Sequence, residues 1–458
     1  MLTAAAGATP FARHRVAGAL RSLLGGGIGT VALPAALLIA VVMGQRSSIG
    51  LFLGPMNSAT GIGFAALSLA VAIGQLSWGL AQPLSAMLAE RYGPARVVAF
   101  GAVLCALGNV AVASATSLAG MIVAIGLGSA AAAAAGGASL LIGLVVQRVS
   151  PERRGLACGL LGAGGSAGQM IVAPIAQGTI AAAGWVVAMM AMAAMTLAAA
   201  PLARVFRDGP SSSAPHPAPA AGSAAASAAI AERARARRAA LRDPHYWALV
   251  GGFSICGFHV GFLTAHVPGV LQSCGLPAAL AGAWIAIVGG CNIAGSIVSG
   301  ALTQRRSMPH MLMALYAARA AGVLVFLVSP KTPAAAFVFA SWMGATYMAT
   351  VPPTTGLLAR RYGVGNLATL FATAMLFHQL ASALGVWLGG VAFERSGHYD
   401  WFWSLDIVLA LLAVVLHVPL LDAPGRPAAT SSTIARIRSQ CEPSQNTRPQ
   451  ASQVLKRS

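Results

Sequence analysis

Apolar residues dominate this chain in long runs that are separated by short polar segments. Twelve runs each come close to the roughly 20 residues that a helix needs to cross about 30 Å of hydrocarbon. They lie at 28–54, 62–84, 95–115, 118–146, 155–182, 185–203, 246–271, 277–302, 310–329, 334–358, 366–392 and 401–420. The pattern predicts an all-α polytopic membrane protein with twelve transmembrane helices.

The longest polar segment divides the twelve runs into six and six. It opens as a low-complexity Pro/Ser/Ala stretch and closes as a basic, helix-favouring sequence. Such a composition builds no hydrophobic core of its own. We therefore expect an N-terminal six-helix bundle at 28–206 and a C-terminal six-helix bundle at 246–421. A linker at 207–245 would join them, with tails at 1–27 and 422–458.

An internal repeat relates the two predicted bundles. The stretch GQRSSIGLFLGP at 44–55 has a counterpart in GFHVGFLTAHVP at 257–268, each running from a Gly to a Pro eleven residues later. Arg46 then corresponds to His259. The loops at 86–96 and 300–310 also occupy equivalent places. A parallel repeat of a six-helix unit predicts two pseudo-symmetric bundles with a substrate site between them, near the bilayer midplane.

Charge is scarce and unevenly placed. The net charge is +19, and only 9% of the residues are charged while 57% are hydrophobic. All but four of the 29 Lys and Arg fall on the side of the bundle that holds both termini and the linker; the exceptions are Arg46, Arg319, Lys331 and Arg395. Cationic loops resist translocation, so we expect both termini in the cytoplasm and the protein in a cell inner membrane. The first run is longer than a signal-peptide core, and we expect it to be retained.

Several function classes are excluded by what the sequence lacks. No base-reading motif accompanies the basic residues, so we expect no nucleic-acid partner. The six cysteines show no CxxC spacing, which predicts neither a metal site nor a disulfide framework. No nucleotide-binding loop or catalytic cluster is present, so we expect a protein that is not an enzyme and carries no cofactor. The lipid bilayer is its expected surrounding, and a monomer is the default oligomeric state.

The loop AMLAERYGPAR at 86–96 resembles the signature that follows the second helix in the major facilitator superfamily. The resemblance implies a gating role for Glu90, Arg91 and Arg96, as a latch of charged groups between helix ends. In the second copy, at 300–310, Arg305 and Arg306 keep the basic character while Gln304 replaces the acid. The resemblance therefore also implies a weaker latch in that half.

Four further stretches are similar to bacterial members of the monocarboxylate-porter-like branch of that superfamily. They are GQRSSIGLFLGPM, LSWGLAQPLSAMLAERYG, CGFHVGFLTAHVPGVL and TLFATAMLFHQLASALGVWLGG, and the likeness extends over about residues 28–421. It implies transport of small organic anions, with protons or by exchange. The eighth run carries no charged residue, in contrast to better-known members.

Arg46 is the first candidate for substrate binding. A charged residue at a helix centre costs about 2.5–3.5 kcal/mol on insertion scales, so it needs a compensating role. Gln45 and two serines adjoin it, as in a helix that lines a water-filled cavity. The planar guanidinium suits bidentate contact with a carboxylate. The alternatives are a structural hydrogen-bonding role and snorkelling to the headgroups.

Histidines in the second half are the next candidates. His259 and His266 lie two helical turns apart, on one face, and either could bind substrate or exchange a proton near neutral pH. His378 and Gln379 form a further polar pair that is a candidate for substrate contact. The alternative for each histidine is a satisfied structural role within the helix bundle.

Arg319 and Asp406 are the remaining charged residues well inside the runs. Pairing within the bundle is the expected role of Arg319. Asp406 is a candidate proton carrier, and a structural or interfacial acid is the alternative. Whether the two residues pair is open at this point, because they lie on different helices.

These observations predict a secondary transporter that moves a small, monocarboxylate-like anion by alternating access. Efflux of an amphiphilic or drug-like compound is the alternative within transport. A membrane sensor or scaffold without transport is the alternative from a different class.

Overall fold

The computed structural model describes residues 26–207 and 224–421. Within these ranges the chain is helical between short turns and contains no β-strand. Eleven of the described helical stretches are long and apolar enough to cross a membrane. The longest, Arg154–Phe206, departs from helical geometry at Gly184 (φ 85°, ψ 166°) and so supplies two spans. The predicted twelve-helix fold is thereby confirmed. The two tails and residues 208–223 of the predicted linker fall almost wholly outside the described residues.

The first half contains six spans. A π-helical turn precedes the first helix, and two of the six spans are interrupted. The first span comprises α1 and α2, and the fourth comprises α5 and α6. The elements are the π turn (Ile28–Ala32), α1 (Leu33–Ser47), α2 (Gly50–Thr60), α3 (Phe64–Tyr92), α4 (Pro94–Ser114), α5 (Leu118–Gly136), α6 (Ala138–Val146), a 3-10 turn (Pro151–Arg153), α7 (Arg154–Ala199) and a 3-10 segment (Ala200–Phe206).

The second half follows a short helix, α8, that lies within the predicted linker. Its tenth span is interrupted between α12 and α13. The elements are α8 (Ala224–Leu241), α9 (Pro244–Ser273), α10 (Ala279–Leu302), α11 (Met308–Val328), α12 (Pro333–Tyr347), α13 (Val351–Tyr362), α14 (Val364–Ser396), α15 (Asp400–His417) and a 3-10 turn (Val418–Leu420).

Glycines allow the helices of each half to approach closely. A side chain at Gly44 on α1 would collide with Val172 and with the Gly168 carbonyl on α7. A side chain at Gly257 on α9 would collide with the His378 carbonyl on α14. Lipid gives no hydrophobic driving force for helix association, so such contacts depend on small residues. The repeated glycine therefore makes equivalent contacts in the two halves, α1 with α7 and α9 with α14.

The connecting loops alternate between two ends of the bundle. One end carries the loops at Gly93, 147–153, 303–307 and Gly363, and most of the described arginines lie at or near it. We call it the basic end, and the other the opposite end.

The two halves meet along two pairs of helices, α3 with α14 and α7 with α10. Between α7 and α10, the Asn292 side-chain amide donates to the Ser166 hydroxyl at 2.8 Å. Gly289 lies against the Ser166 carbonyl, where any side chain would clash. Polar hydrogen bonds and small residues therefore hold this part of the interface together.

Two more contacts join the halves near the opposite end. The Ala65 backbone N–H, in the first turn of α3, donates to Glu394 Oε2 on α14 at 2.7 Å. Gly50 on α2 packs against the carbonyls of Thr264 and Ala265 on α9. In this structure the halves are therefore closed against each other at the opposite end.

The break in the tenth span is stabilised by side chains from a neighbouring helix. The Met348 backbone N–H donates to Asn292 Oδ1 at 3.0 Å, and the Ser299 hydroxyl donates to the Ala349 carbonyl at 2.5 Å. Non-helical backbone at membrane depth is tolerated only where its polar groups find partners. Both α10 side chains supply such partners.

Candidate functional site

Arg46 lies near the end of α1, beside a cavity inside the first half. One terminal guanidinium nitrogen donates to Gln75 Oε1 on α3. The guanidinium carbon lies 4.5 Å from the centre of the Trp78 ring, in cation–π contact. Among the described residues, no Asp or Glu is within ion-pair distance of Arg46. The contacts that stabilise the Arg46 guanidinium are therefore made by neutral groups, the Gln75 amide and the Trp78 ring.

The cavity next to Arg46 has a volume of about 90 Å³. Since one water needs roughly 10–15 Å³, it can hold several waters or a small solute. Its walls come from α1, α3, α4 and α5 with Met189 of α7, and its polar lining consists of Gln45, Arg46, Gln75, Asn109 and Ser129. Valine, isoleucine and tryptophan side chains form much of the rest. One cation among amides, a hydroxyl and apolar groups makes this a suitable pocket for a small anion with an apolar part.

Gln45 anchors one wall of that cavity. Its amide nitrogen donates to the Met192 carbonyl at 2.9 Å and to the Thr196 hydroxyl at 2.7 Å on α7. Its carbonyl oxygen accepts from Asn109 Nδ2 on α4 at 3.0 Å. These bonds fix Gln45 between three helices, so its side chain holds the cavity wall in addition to lining it.

His259, the repeat partner of Arg46, has different surroundings. Its Nδ1 lies 2.6 Å from Asp406 Oδ2 on α15, and its Nε2 lies 3.4 Å from the Met343 sulfur on α12. His259 is 4% exposed and Asp406 is 1% exposed. The two form a buried, closely contacting pair in the core of the second half. Asp406 therefore contacts His259 directly, although the sequence left its partner open.

Arg319 lies close to that pair, on α11, and is 1% exposed. One terminal nitrogen, Nη2, donates to the carbonyls of Thr346 at 2.5 Å and Tyr347 at 2.7 Å. These carbonyls belong to the last turn of α12, where intrahelical partners are missing. Arg319 thus pairs within the bundle with the end of a helix, where the helix dipole favours a cation.

His266 is enclosed by aromatic rings and backbone. Its Nε2 lies 2.6 Å from the Val386 carbonyl on α14, and its ring stacks on Phe262 with 5.4 Å between centroids. The Tyr399 hydroxyl is 3.5 Å from its other ring nitrogen. With no exposed surface, His266 has the surroundings of a side chain that joins α9 to α14. Its assignment to substrate or proton binding remains a prediction.

His378 and Gln379 lie on α14 and point in different directions. His378 packs on Phe253, with 4.7 Å between ring centroids, and its buried Nδ1 has no partner within the described residues. The Gln379 side chain packs against Gly79 on α3, at the contact between the halves. Both residues are buried, and neither lines the cavity beside Arg46.

The predicted latch residues lie at the basic end. Glu90, Arg91 and Arg96 are exposed, and Arg305 and Arg306 are exposed on the equivalent loop. Across the described part of the chain, no ion pair involves any of the five. In this conformation the charged groups are therefore apart, and their gating role remains a prediction.

The sequence-based predictions missed a hydrogen-bonded cluster around Asp243 at the basic end. Asp243 caps the start of α9 by accepting the His245 backbone N–H at 2.9 Å. It also accepts from Tyr362 Oη at 2.9 Å and Arg361 Nε at 3.3 Å. Burial alone would raise the pKa of Asp243, but these hydrogen bonds and the charge of Arg361 lower it to about 2. Asp-Pro at a helix start was the available signal.

Polar cavity residues were also missed. Gln75, Asn109 and Ser129 are polar residues inside apolar runs, so the sequence marked them in the same way as it marked Gln45. Trp78 and Tyr347 carried no such signal, because aromatic residues are common in apolar helices. Tyr347 is within electrostatic reach of Arg46 although it belongs to the other half.

Twelve spans in two similar halves, with buried charged groups inside them, define a membrane transporter fold. Residues 35–386 match the family profile of the Major Facilitator Superfamily. The chain belongs to this superfamily and is a multi-pass membrane transporter, not an enzyme. The monocarboxylate-porter-like branch is a finer assignment that rests on the sequence resemblance alone.

The relatives share the fold at low sequence identity. The uncharacterized MFS-type transporter YcxA of Bacillus subtilis (strain 168) is 24% identical over 395 residues, which cover 82% of this chain and 91% of that protein. The crystal structure of a D-xylose-proton symporter superposes with a TM-score of 0.70 at 15% identity, covering 85% of this chain and 97% of the symporter.

A second solved structure is a bacterial homolog of the human lysosomal transporter Spinster, in an inward-facing and occupied conformation. It superposes with a TM-score of 0.65 at 13% identity, covering 89% of this chain and 96% of that chain. Identities this low support the shared fold alone.

Proposed function

We propose that this protein is a secondary transporter for a small organic anion of the monocarboxylate class. Arg46 would bind the carboxylate in the cavity beside α1, and the two halves would rock to open a path from that cavity to each side of the membrane in turn. The positive-inside rule supports a cytoplasmic basic end, with both termini in the cytoplasm of a bacterial cell and the protein in its inner membrane.

The observation that carries the proposal is the set of groups around the Arg46 guanidinium. It faces a cavity of about 90 Å³, has Gln75 and Trp78 as neighbours, and has no acidic partner among the described residues. A partly buried cation without a counterion is unfavourable inside the membrane, and a bound carboxylate supplies the missing negative charge with bidentate geometry. The apolar cavity wall suits the short carbon chain of such a substrate.

The contacts between the halves support a gating cycle. Two contacts close the opposite end. Glu394 of α14 accepts a hydrogen bond from the first turn of α3, and Gly50 of α2 packs against α9. When the opposite end opens, these contacts separate and the basic end closes. Glu90, Arg91 and Arg96 would then form the latch of that closed state, with Arg305 and Arg306 contributing from the second half.

The second half would contain the binding site for the transported proton. His259 and Asp406 form a buried pair that can hold one exchangeable proton between them. Because substrate anion and proton carry opposite charges, moving them together keeps the cycle electrically neutral. His266 is a further candidate, and His378 and Gln379 would contribute to the substrate path between the halves.

Transport into proteoliposomes tests the anion site. Purified parent protein, Arg46→Ala and Arg46→Lys would be assayed with labelled short mono- and dicarboxylates, at equal pH on both sides. We expect exchange of a monocarboxylate by the parent, and loss of it in both variants, since Lys cannot make a bidentate contact. Arg395→Ala is the matched control, because Arg395 is an exposed arginine near the opposite end.

Two results would contradict the proposal. One is exchange by Arg46→Ala at the rate of the parent. The other is transport of neutral amphiphiles by parent and Arg46→Ala alike, which is the behaviour expected of an efflux transporter that does not depend on this cation.

A further inference from the structure

Two buried groups of opposite charge lie close together with unused hydrogen-bonding capacity. Nε and Nη1 of Arg319 and Oδ1 of Asp406 are buried and have no partner in the described part of the protein. The residues lie on α11 and α15, which pack against each other, and they are near enough to interact electrostatically. An unpaired charge in a low-dielectric interior is unfavourable. Arg319 is therefore available as a second partner for Asp406.

In this structure Arg319 is engaged elsewhere. Its Nη2 holds the Thr346 and Tyr347 carbonyls at the end of α12, next to the break in the tenth span. The last carbonyls of a helix carry partial negative charge and lack intrahelical partners. The position of the Arg319 guanidinium thus influences where the break, and with it Tyr347, is held.

Tyr347 connects that break to the first half. Its carbonyl accepts from Arg319, and its hydroxyl lies 2.9 Å from the Thr264 hydroxyl on α9. The Thr264 carbonyl in turn packs against Gly50, one helical turn beyond Arg46 in the first span. A shift of Tyr347 therefore changes the contact between the halves next to the anion cavity.

We propose that Arg319 is the positioning residue that transmits the protonation state of the His259–Asp406 pair to the anion cavity through Tyr347. This inference rests on the proposed function. With a proton on the pair, the His259 imidazolium compensates the Asp406 carboxylate, and Arg319 stays on α12. When that proton leaves with the transported anion, Asp406 loses its cationic partner, and Arg319 turns from the α12 carbonyls to the carboxylate.

The groups around the pair are consistent with this exchange of partners. Arg319 lies within electrostatic reach of Asp406, of Cys256 on α9 and of Tyr316 on α11, and Cys256 in turn lies near His378 on α14. Arg319 is the permanent cation of this set. The Arg319 guanidinium carbon lies 5.5 Å from the centre of the Tyr316 ring, which can keep contact with it in either position. Arg319 is thus the group whose position responds to the loss of the proton.

Two transport modes measured on one set of variants test the inference. Proteoliposomes with the parent, Arg319→Met and Asp406→Asn would be assayed for anion exchange at equal pH and for accumulation driven by a pH gradient of one unit. A one-to-one coupled parent accumulates the anion about tenfold under that gradient. We expect Arg319→Met to retain exchange and to lose accumulation, and Asp406→Asn to lose accumulation. Arg395→Met, an exposed arginine changed in the same way, should behave as the parent.

A second arginine variant covers the case in which Arg319→Met does not fold. Arg319→Lys keeps the charge, so we expect it to fold and to restore part of the accumulation with an altered pH profile. Accumulation by Arg319→Met at the level of the parent would overturn the inference. Parallel loss of exchange and accumulation in both Arg319→Met and Arg319→Lys would also overturn it, because a purely structural role predicts that result. Failure of the parent to exchange any carboxylate would instead contradict the proposed function.

Discussion

Arg46 and His259 occupy equivalent positions in the two halves, yet their surroundings differ. Arg46 faces a cavity of about 90 Å³ and contacts Gln75 and Trp78. His259 is buried and lies 2.6 Å from Asp406. The glycines two residues before them, Gly44 and Gly257, instead make the same kind of close helix contact. The comparison shows that helix packing follows the repeat, whereas the chemistry at the equivalent position depends on which side chains the neighbouring helices supply.

The largest effect should come from removing the two equivalent residues in turn. We expect Arg46→Gln to lower anion exchange at equal pH by about 10- to 100-fold, since a hydrogen bond to a charged group contributes about 1.5–3 kcal/mol. We expect His259→Gln to retain exchange, because the proton site is separate from the cavity. Counterflow of labelled anion measures both rates. Similar losses in the two variants would contradict the proposal that the first half binds the anion and the second half binds the proton.

The shared packing should respond equally in both halves. We expect Gly44→Val and Gly257→Val each to destabilise the folded protein by about 1–3 kcal/mol or more, because each added side chain meets backbone that cannot move aside. The folded yield and the melting temperature in detergent measure this. Gly300→Val is a suitable control, because nothing lies within 4 Å of the position of its added Cβ. A defect in one half alone would show that the repeat does not extend to packing.

A smaller effect is expected where the halves meet at the opposite end. The Glu394 carboxylate caps the first turn of α3 in the other half. A negative charge there contributes about 0.3–1 kcal/mol, so Glu394→Gln should speed hydrogen exchange of the 61–68 backbone by about two- to fivefold. Glu394→Ala should have a larger effect, because it also removes the acceptor. Unchanged exchange in both variants would show that the contact does not hold this end closed.

The smallest effect concerns the acids at the basic end. Asp243 in the second half binds Arg361 and Tyr362, whereas Glu90 in the first half is exposed. We expect Asp243→Asn to lower the melting temperature by roughly 1–3 °C, because exposed and partly exposed ion pairs contribute about 0–1 kcal/mol. Asn also caps helices well, so the change removes the charge and keeps the cap. Glu90→Gln should leave the melting temperature unchanged.

The pH dependence of this last difference has a defined sign. The pKa of Asp243 is lowered to about 2 in the folded protein, below the ordinary value of 3.8. Its stabilisation is therefore complete above about pH 4 and is lost as the pH falls towards 2. The melting temperatures of parent and Asp243→Asn should converge over that window. A difference that persists at low pH would show that the effect comes from the cap and not from the charge.

The sequence predicted the membrane fold because each span must satisfy its own backbone hydrogen bonds and therefore needs about 20 apolar residues. It did not predict the breaks within the first, fourth and tenth spans, because those depend on side chains from other helices. Asn292 and Ser299 on α10 and Arg319 on α11 bind backbone groups at the break in the tenth span. Such contacts join residues far apart in the chain, and hydrophobic periodicity carries no information about them.

For the candidate site, the residues themselves were visible in the sequence, because a polar or charged side chain stands out in an apolar run. Arg46, His259, Asp406 and Arg319 were all marked in this way. Pairing was decided by the tertiary structure alone, which brings Asp406 to His259 and Arg319 to the end of α12. A buried charge is stable only with specific partners within a few ångströms. The order of residues along the chain does not set those distances, and the packing of helices from distant parts of the sequence does.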